Sequence, residues 1–276
     1  MDFRLYPLRF SFIARDSVRF PPGKAANVLR GALGLALLRL GEACPTAYAR
    51  LFEPKALDPG PSGLADRPRP YVFRATHLDG RTIPPGQPFH FDFHLFEIHN
   101  PPLDLLRQSF AEAAAEGLGP GRGRAECRSC GPPALLTLPL DPPPHPVTRV
   151  AIRFVTPTEL KGGSQLAGHP EFAILAARIR DRIGALRALY GDGPLPIDFR
   201  GFGERAARVR MTRCQLRHIE LSRRSSRTGQ VHPLGGFVGE AEYEGELTEF
   251  LPYLQAAQWT GVGRQTVWGK GEIEVL

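Results

Sequence analysis

The chain has 276 residues, 42% hydrophobic and 23% charged, a globular composition long enough for two modest cores rather than one. Lys and Arg number 35 against 28 Asp and Glu, a formal charge of +7 carried mostly by arginine inside patterned segments; a phosphate-attracting surface and a GC-rich genome that writes Arg for Lys both fit. Four scattered cysteines are too few for a disulfide scaffold, and with no apolar leader and no bilayer-length apolar run a soluble, cytoplasmic protein with no membrane partner is expected.

Residues 3–14 alternate loosely and stop before Pro21-Pro22-Gly23, which predicts a strand and a turn. Residues 24–40 place Val28, Leu29, Ala32, Leu33, Ala36 and Leu40 at helical spacing, weakened by Gly31 and Gly34 unless something packs closely there. A Pro- and Gly-rich loop is expected over 54–70, then strands over 71–77 and 89–97. In the latter Phe89, Phe91, Phe93 and Leu95 face one way and His90, Asp92 and His94 the other. Pro102 opens a helix with the stripe Leu103, Leu106, Phe110 and Ala113, and residues 135–138 offer a fourth short strand.

Consecutive prolines make 141–147 the linker between an N-terminal domain over 1–140 and a C-terminal domain over 148–276. The element order then recurs. A strand is expected at 150–155, a long helix at 172–190, strands at 209–221 and 236–243, a short helix at 247–257 and a closing strand at 272–276. Two such units predict an α+β fold of tandem ferredoxin-like (RRM-like) domains with a C-terminal glycine-rich loop.

That loop carries Gly261, Gly263, Arg264, Gly269, Lys270 and Gly271. Its glycines would free the backbone to approach a ligand, and its two basic residues add charge. Thr266 stands where a dinucleotide fingerprint needs its third glycine, and no Ser or Thr follows Lys270 as a P-loop requires. A plain glycine-rich turn is the alternative.

This C-terminal segment resembles the glycine-rich signature of the CRISPR-associated repeat-processing endoribonucleases of the RAMP superfamily, with Lys270 in place of a hydrophobic residue. Arg30-Gly31-Ala32-Leu33-Gly34 looks like the family's first-helix motif, and residues 44–54 like the segment after it. Thr156-Pro157 with Leu160-Lys161 looks like the opening of its second domain, and residues 223–245 like its Arg-Ser-rich strand and hairpin.

The resemblance implies metal-free cleavage of CRISPR repeat RNA by attack of the ribose 2′-oxygen on the adjacent phosphate, giving crRNA that stays bound. It implies no cofactor, and crRNA and other CRISPR effector subunits as partners. Members usually carry a catalytic histidine in or near the first helix; here the first histidine is His77, a feature shared with histidine-free relatives, type IV among them. In the expected region stand Lys24, Arg30, Arg39, Tyr48 and Arg50; the catalytic candidates are Lys24, Arg30, Arg39 and Tyr48. Arg and Lys can stabilise charge, and an exposed Arg is a poor proton acceptor, so such a site would work by alignment and electrostatics. The RNA-binding candidates are Lys161, Arg223, Arg224, Arg227, Gly261, Gly263, Arg264, Gly269, Lys270 and Gly271. The alternative function is a crRNA-binding subunit that has lost cleavage; a third is a ferredoxin-like module with a protein partner.

Nine arginines between Arg200 and Arg227 are opposed within that stretch only by Glu204 and Glu220, which predicts a basic region. Cys127-Arg-Ser-Cys130 has zinc-knuckle spacing but lacks a second pair, so loop cysteines without a metal are expected.

Overall fold

A computed structural model describes residues 1–40, 45–52, 67–131, 133–224 and 231–276. They form two compact units, one of residues 4–136 with 267–269, the other of 1–3, 137–266 and 270–276.

In the first unit β1 (Asp2–Ala14) and a short β2 (Val18–Arg19) lead into α1 (Ala25–Leu40) and α2 (Pro45–Phe52). Then follow β3 (Tyr71–Arg74), β4 (Thr82–Ile83), β5 (Pro88–Leu95), α3 (Leu103–Glu116) and β6 (Ala125–Cys130), and β7 (Leu136–Pro139) begins at the last residue of the stretch 4–136 and runs on into the second unit. The main sheet runs β3-β5-β1-β6, and β7 also pairs with β1. Period-two alternation sets its inner face: Leu8, Phe10 and Phe12 stand opposite Phe93, Phe91 and Phe89. The rings pack as a ladder, Phe12 to Phe89 at 5.2 Å and Phe10 to Phe91 at 5.5 Å, and α3 inserts Phe110 at 4.5 Å from Phe10.

Helix α1 buries Leu29, Leu33, Ala36 and Leu37 against this core. Its start is capped from elsewhere in the chain, since Ala25 N–H donates to Asp79 Oδ1 at 2.8 Å. Gly34 has a packing reason: a Cβ there would sit 3.0 Å from Phe52 Cε1.

The second unit begins with β8 (Arg149–Thr158), β9 (Lys161–Gly162) and β10 (Gln165–Leu166), then α4 (Phe172–Tyr190) and α5 (Phe199–Ala206). It continues through β11 (Arg210–Ile219), β12 (Ser222–Arg224), β13 (Val231–Pro233), β14 (Gly236–Glu244), α6 (Leu251–Thr260) and β15 (Ile273–Val275). Its sheet order is β11-β14-β8-β15. Counting the four main strands of each unit in chain order, both sheets read second-third-first-fourth. That is the ferredoxin-like arrangement, so the tandem α+β fold is as expected from sequence.

Several local expectations differ. The strand after the long loop ends at Arg74 and passes into a 3-10 turn at Thr76–Leu78. The helix expected from 247 starts at Leu251 with Pro252 in its first turn, where a missing N–H costs nothing. Cys127 and Cys130 are not loop residues but lie on β6, half-buried against the first core. Helices α2 and α5 were not foreseen. The loop expected at 54–70 falls mostly outside the described residues, as does Cys44. No helix of the described residues is long and apolar enough to cross a membrane.

Candidate functional site

In the first unit the basic residues near α1 are held very differently. Arg39 forms an ion pair with Glu116 of α3, and Arg50 lies 3.6 Å from Glu97. Arg30 faces no carboxylate among the described residues. Its guanidinium lies against two rings instead, with Cζ 4.8 Å from the centroid of Phe52 and 5.5 Å from that of Trp268. Phe52 is itself stacked on Tyr48 at 5.3 Å, which ties α2 to the same cluster. Tyr71 stands 6.0 Å from Phe52. Burial raises the Tyr71 phenol above its ordinary range, partly opposed by the nearby positive charges of Arg30 and Arg69, so it stays protonated at neutral pH. Arg30 Nε is buried with no hydrogen-bond partner among the described residues. Lys24 lies immediately before α1, half-buried, its carbonyl accepting from Val28 N–H.

The aromatic partner Trp268 comes from the glycine-rich segment, so three residues of that segment, 267–269, complete the first unit. Gly269 packs so closely on α1 that a Cβ would lie 2.6 Å from Ala26 Cβ. Sequence order alone gave no sign of this, because the contact joins positions about 240 residues apart along the chain.

The rest of the glycine-rich segment belongs to the second unit and is tied to itself and to the end of β8. Val262 N–H donates to Gly271 carbonyl at 2.8 Å, and Gly271 N–H to Pro157 carbonyl at 3.1 Å. Arg264 donates its backbone N–H to Glu159 carbonyl at 3.0 Å and pairs its guanidinium with the Glu159 carboxylate at 2.7 Å. A Cβ on Gly263 would lie 2.4 Å from Glu159 carbonyl oxygen, and one on Gly271 1.9 Å from that of Val262. These glycines are therefore required by the chain's own packing. Gln265, at φ 65°, donates from its side chain to Pro233 carbonyl at 2.6 Å, linking the loop to the β12–β13 hairpin. Lys270 is buried, Gly261 sits at φ 69°, and Lys161 is exposed on β9. Arg223 and Arg224 lie on β12, paired with β13; Arg227 falls outside the described residues.

The basic series from Arg200 onward is less free than its local sequence suggests. Arg200 pairs with Glu204 at 2.8 Å, while Arg205 meets Glu249 and Arg213 meets Glu242, carboxylates brought in from later in the chain. Arg208, Arg210 and Arg217 remain exposed, with no ion pair among the described residues.

One pair went unnoticed in the sequence. His77 stacks on His90 with ring centroids 4.7 Å apart, and His77 Nε2 contacts the His90 carbonyl at 2.8 Å. Burial lowers the His90 pKa, and the charges of His77 and Arg9 add to that effect. On β5, His90 is five residues from Leu95, which pairs with Tyr71. At about 3.4 Å per residue that is about 17 Å along the sheet from the Arg30 cluster, too far for the imidazoles to share its chemistry.

Residues 152–273 match the family of the CRISPR-associated endoribonuclease Cas6, and residues 3–132 match an N-terminal domain family, AF_1859_N. The chain is similar to Cas6 (TTHB231) in a product complex, with 18% identity, 99% of each chain covered and a TM-score of 0.64. It is similar to Cas6 (TTHA0078) in a product complex, with 20% identity over 99% of this chain and 100% of that one and a TM-score of 0.62. Thermus thermophilus Cas6 (TTHB231) gives 17% identity over 100% and 99% of the two chains, with a TM-score of 0.56. Comparison with curated protein sequences gives no match. The fold is that of these structures, and residues 152–273 carry the sequence pattern of the Cas6 family.

Proposed function

We propose that the protein is a metal-independent endoribonuclease that cuts CRISPR repeat RNA by attack of the 2′-oxygen on the scissile phosphate and keeps the crRNA product bound. The observation that carries this is Arg30, a guanidinium oriented by Phe52 and Trp268 and facing no described carboxylate. Such a group is pre-positioned to meet an anion without first giving up an ion pair. In this proposal Arg30 stabilises the charge that builds on the phosphorane, Lys24 binds a neighbouring phosphate, and Tyr48 holds Phe52 beneath Arg30. Arg39 acts more weakly because Glu116 competes for it. In this proposal catalysis rests on alignment and charge.

RNA binding in this proposal extends to Lys161, Arg223, Arg224, Arg227 and Arg264, with Gly261, Gly263, Gly269, Lys270 and Gly271 shaping the loop that presents them. Held crRNA would then serve as the platform for other effector subunits.

The second function, an RNA-capping subunit that does not cut, is favoured by one observation: no histidine precedes His77. Both functions require salt-sensitive binding of repeat RNA. A filter-binding titration of the purified protein with its host's CRISPR repeat RNA, repeated across salt concentrations, tests this. The expected result is a linear fall of log affinity with log salt. No binding by the wild-type protein at low salt would overturn both functions and leave the basic surface to a protein partner.

A further inference from the structure

A glycine inside a helix destabilises it relative to alanine, so its presence calls for a reason. For most helical glycines here the reason is a neighbour within 4 Å of where a Cβ would stand. Gly34 has Phe52, Gly184 has Leu195, Gly201 has Asp198 and Gly203 has Arg180. Gly31 has nothing within that distance among the described residues. It is exposed, it lies in the middle of α1, and its φ is not positive, so its backbone would accept any side chain.

The surroundings of Gly31 point to what fills the space. It follows Arg30 directly. On the helix surface its neighbours one turn away are Asn27 four residues before it and Leu35 four residues after it, and Lys24 lies just before the helix start. Leu35 is 59% exposed, so the strip of bare backbone at Gly31 lies between a polar residue and an uncovered apolar one, with the basic Arg30 next to it in the chain. A sugar–phosphate chain suits this combination, with charge for the phosphate and apolar surface for the ribose or base.

We propose that Gly31 is a close-approach position, where the ribose–phosphate backbone of bound repeat RNA lies directly against the backbone of α1. The proposal rests on RNA binding at α1 as set out above, and it adds the point of contact and a steric limit on it.

The test is a pair of substitutions, Gly31→Ala and Gly31→Leu, measured for thermal unfolding and for affinity toward the host's CRISPR repeat RNA. If the space belongs to RNA, stability and binding move in opposite directions. Gly31→Ala raises Tm by about 2 °C or more, as helix propensity requires. Affinity falls with side-chain size, by roughly tenfold for Gly31→Leu, the scale expected of overpacking. A lower Tm for Gly31→Ala would show that the chain's own packing needs the glycine and would overturn the proposal. Wild-type affinity in Gly31→Leu would overturn it as well, with RNA binding by the protein left intact. A wild-type protein that fails to bind repeat RNA would remove the underlying function itself, so the two failures are distinguishable.

Discussion

Arg30 lies with its guanidinium carbon 4.8 Å from the ring centroid of Phe52, a residue held in place by the gap that Gly34 leaves on the same helix. One turn of α1 thus supplies both the cation and the seat for the ring that orients it. Replacing Arg30 by Ala is expected to cut the rate of repeat cleavage by roughly a hundredfold, the scale seen when one charge-stabilising donor is removed. Arg30→Lys keeps the charge but loses the planar stacking, so it restores only part of that rate. Single-turnover cleavage by the two variants checks this. Arg39→Gln serves as the comparison and should cost far less, since Glu116 already engages Arg39.

Gly34→Ala should act through structure rather than chemistry. Its new methyl group would press on Phe52 at 3.0 Å, and neither α2 nor the ring can move without disturbing Tyr48 and Arg30. A loss of about 1–3 kcal/mol is expected from such overpacking, measurable as a lower denaturation midpoint in urea.

The tandem α+β fold was legible because its signals are local. Alternating phenylalanines on β5 and the proline run before β8 are written in neighbouring residues, and two similar successions of elements follow from them. The site was legible only in part, because its decisive contacts are distant in sequence. Nothing near Arg30 announces Trp268, and nothing near Arg213 announces Glu242. The glycines at 263 and 271 looked like ligand-approach positions, yet they are occupied by the chain's own carbonyls. Helix α2 was missed because its eight residues sit among Pro- and Gly-rich sequence, where pattern is too short to read.

The pairing of the basic series makes a further prediction. Arg210 and Arg217 are exposed and have no described ion-pair partner, whereas Arg213 is engaged by Glu242. Changing Arg210 and Arg217 together to Gln should reduce the slope of log affinity against log salt by about 2, while Arg213→Gln changes it less. Repeat-RNA binding at several salt concentrations gives these slopes directly.

His90 gives the fold a pH dependence of known sign. Its folded pKa lies below the ordinary value because burial disfavours the imidazolium, with His77 and Arg9 adding repulsion. The unfolded chain therefore binds the proton more readily. Stability contributed by neutral His90 is present above the unfolded value of about 6.5 and is lost as pH falls from there to the folded pKa. The urea midpoint should decline between pH 7 and pH 5, and His90→Gln should make that decline shallower. An unchanged slope in the variant would place the pH dependence elsewhere.

Cleavage chemistry is the central claim, and it is tested by incubating the purified protein with its host's CRISPR repeat RNA in EDTA, beside the same RNA carrying a 2′-deoxy at the cut site. Only the all-ribose RNA is expected to be cut, its upstream product ending in a 2′,3′-cyclic phosphate. Tight binding of both RNAs with no cleavage of either, or cleavage that appears only when a divalent metal is restored, would contradict that claim.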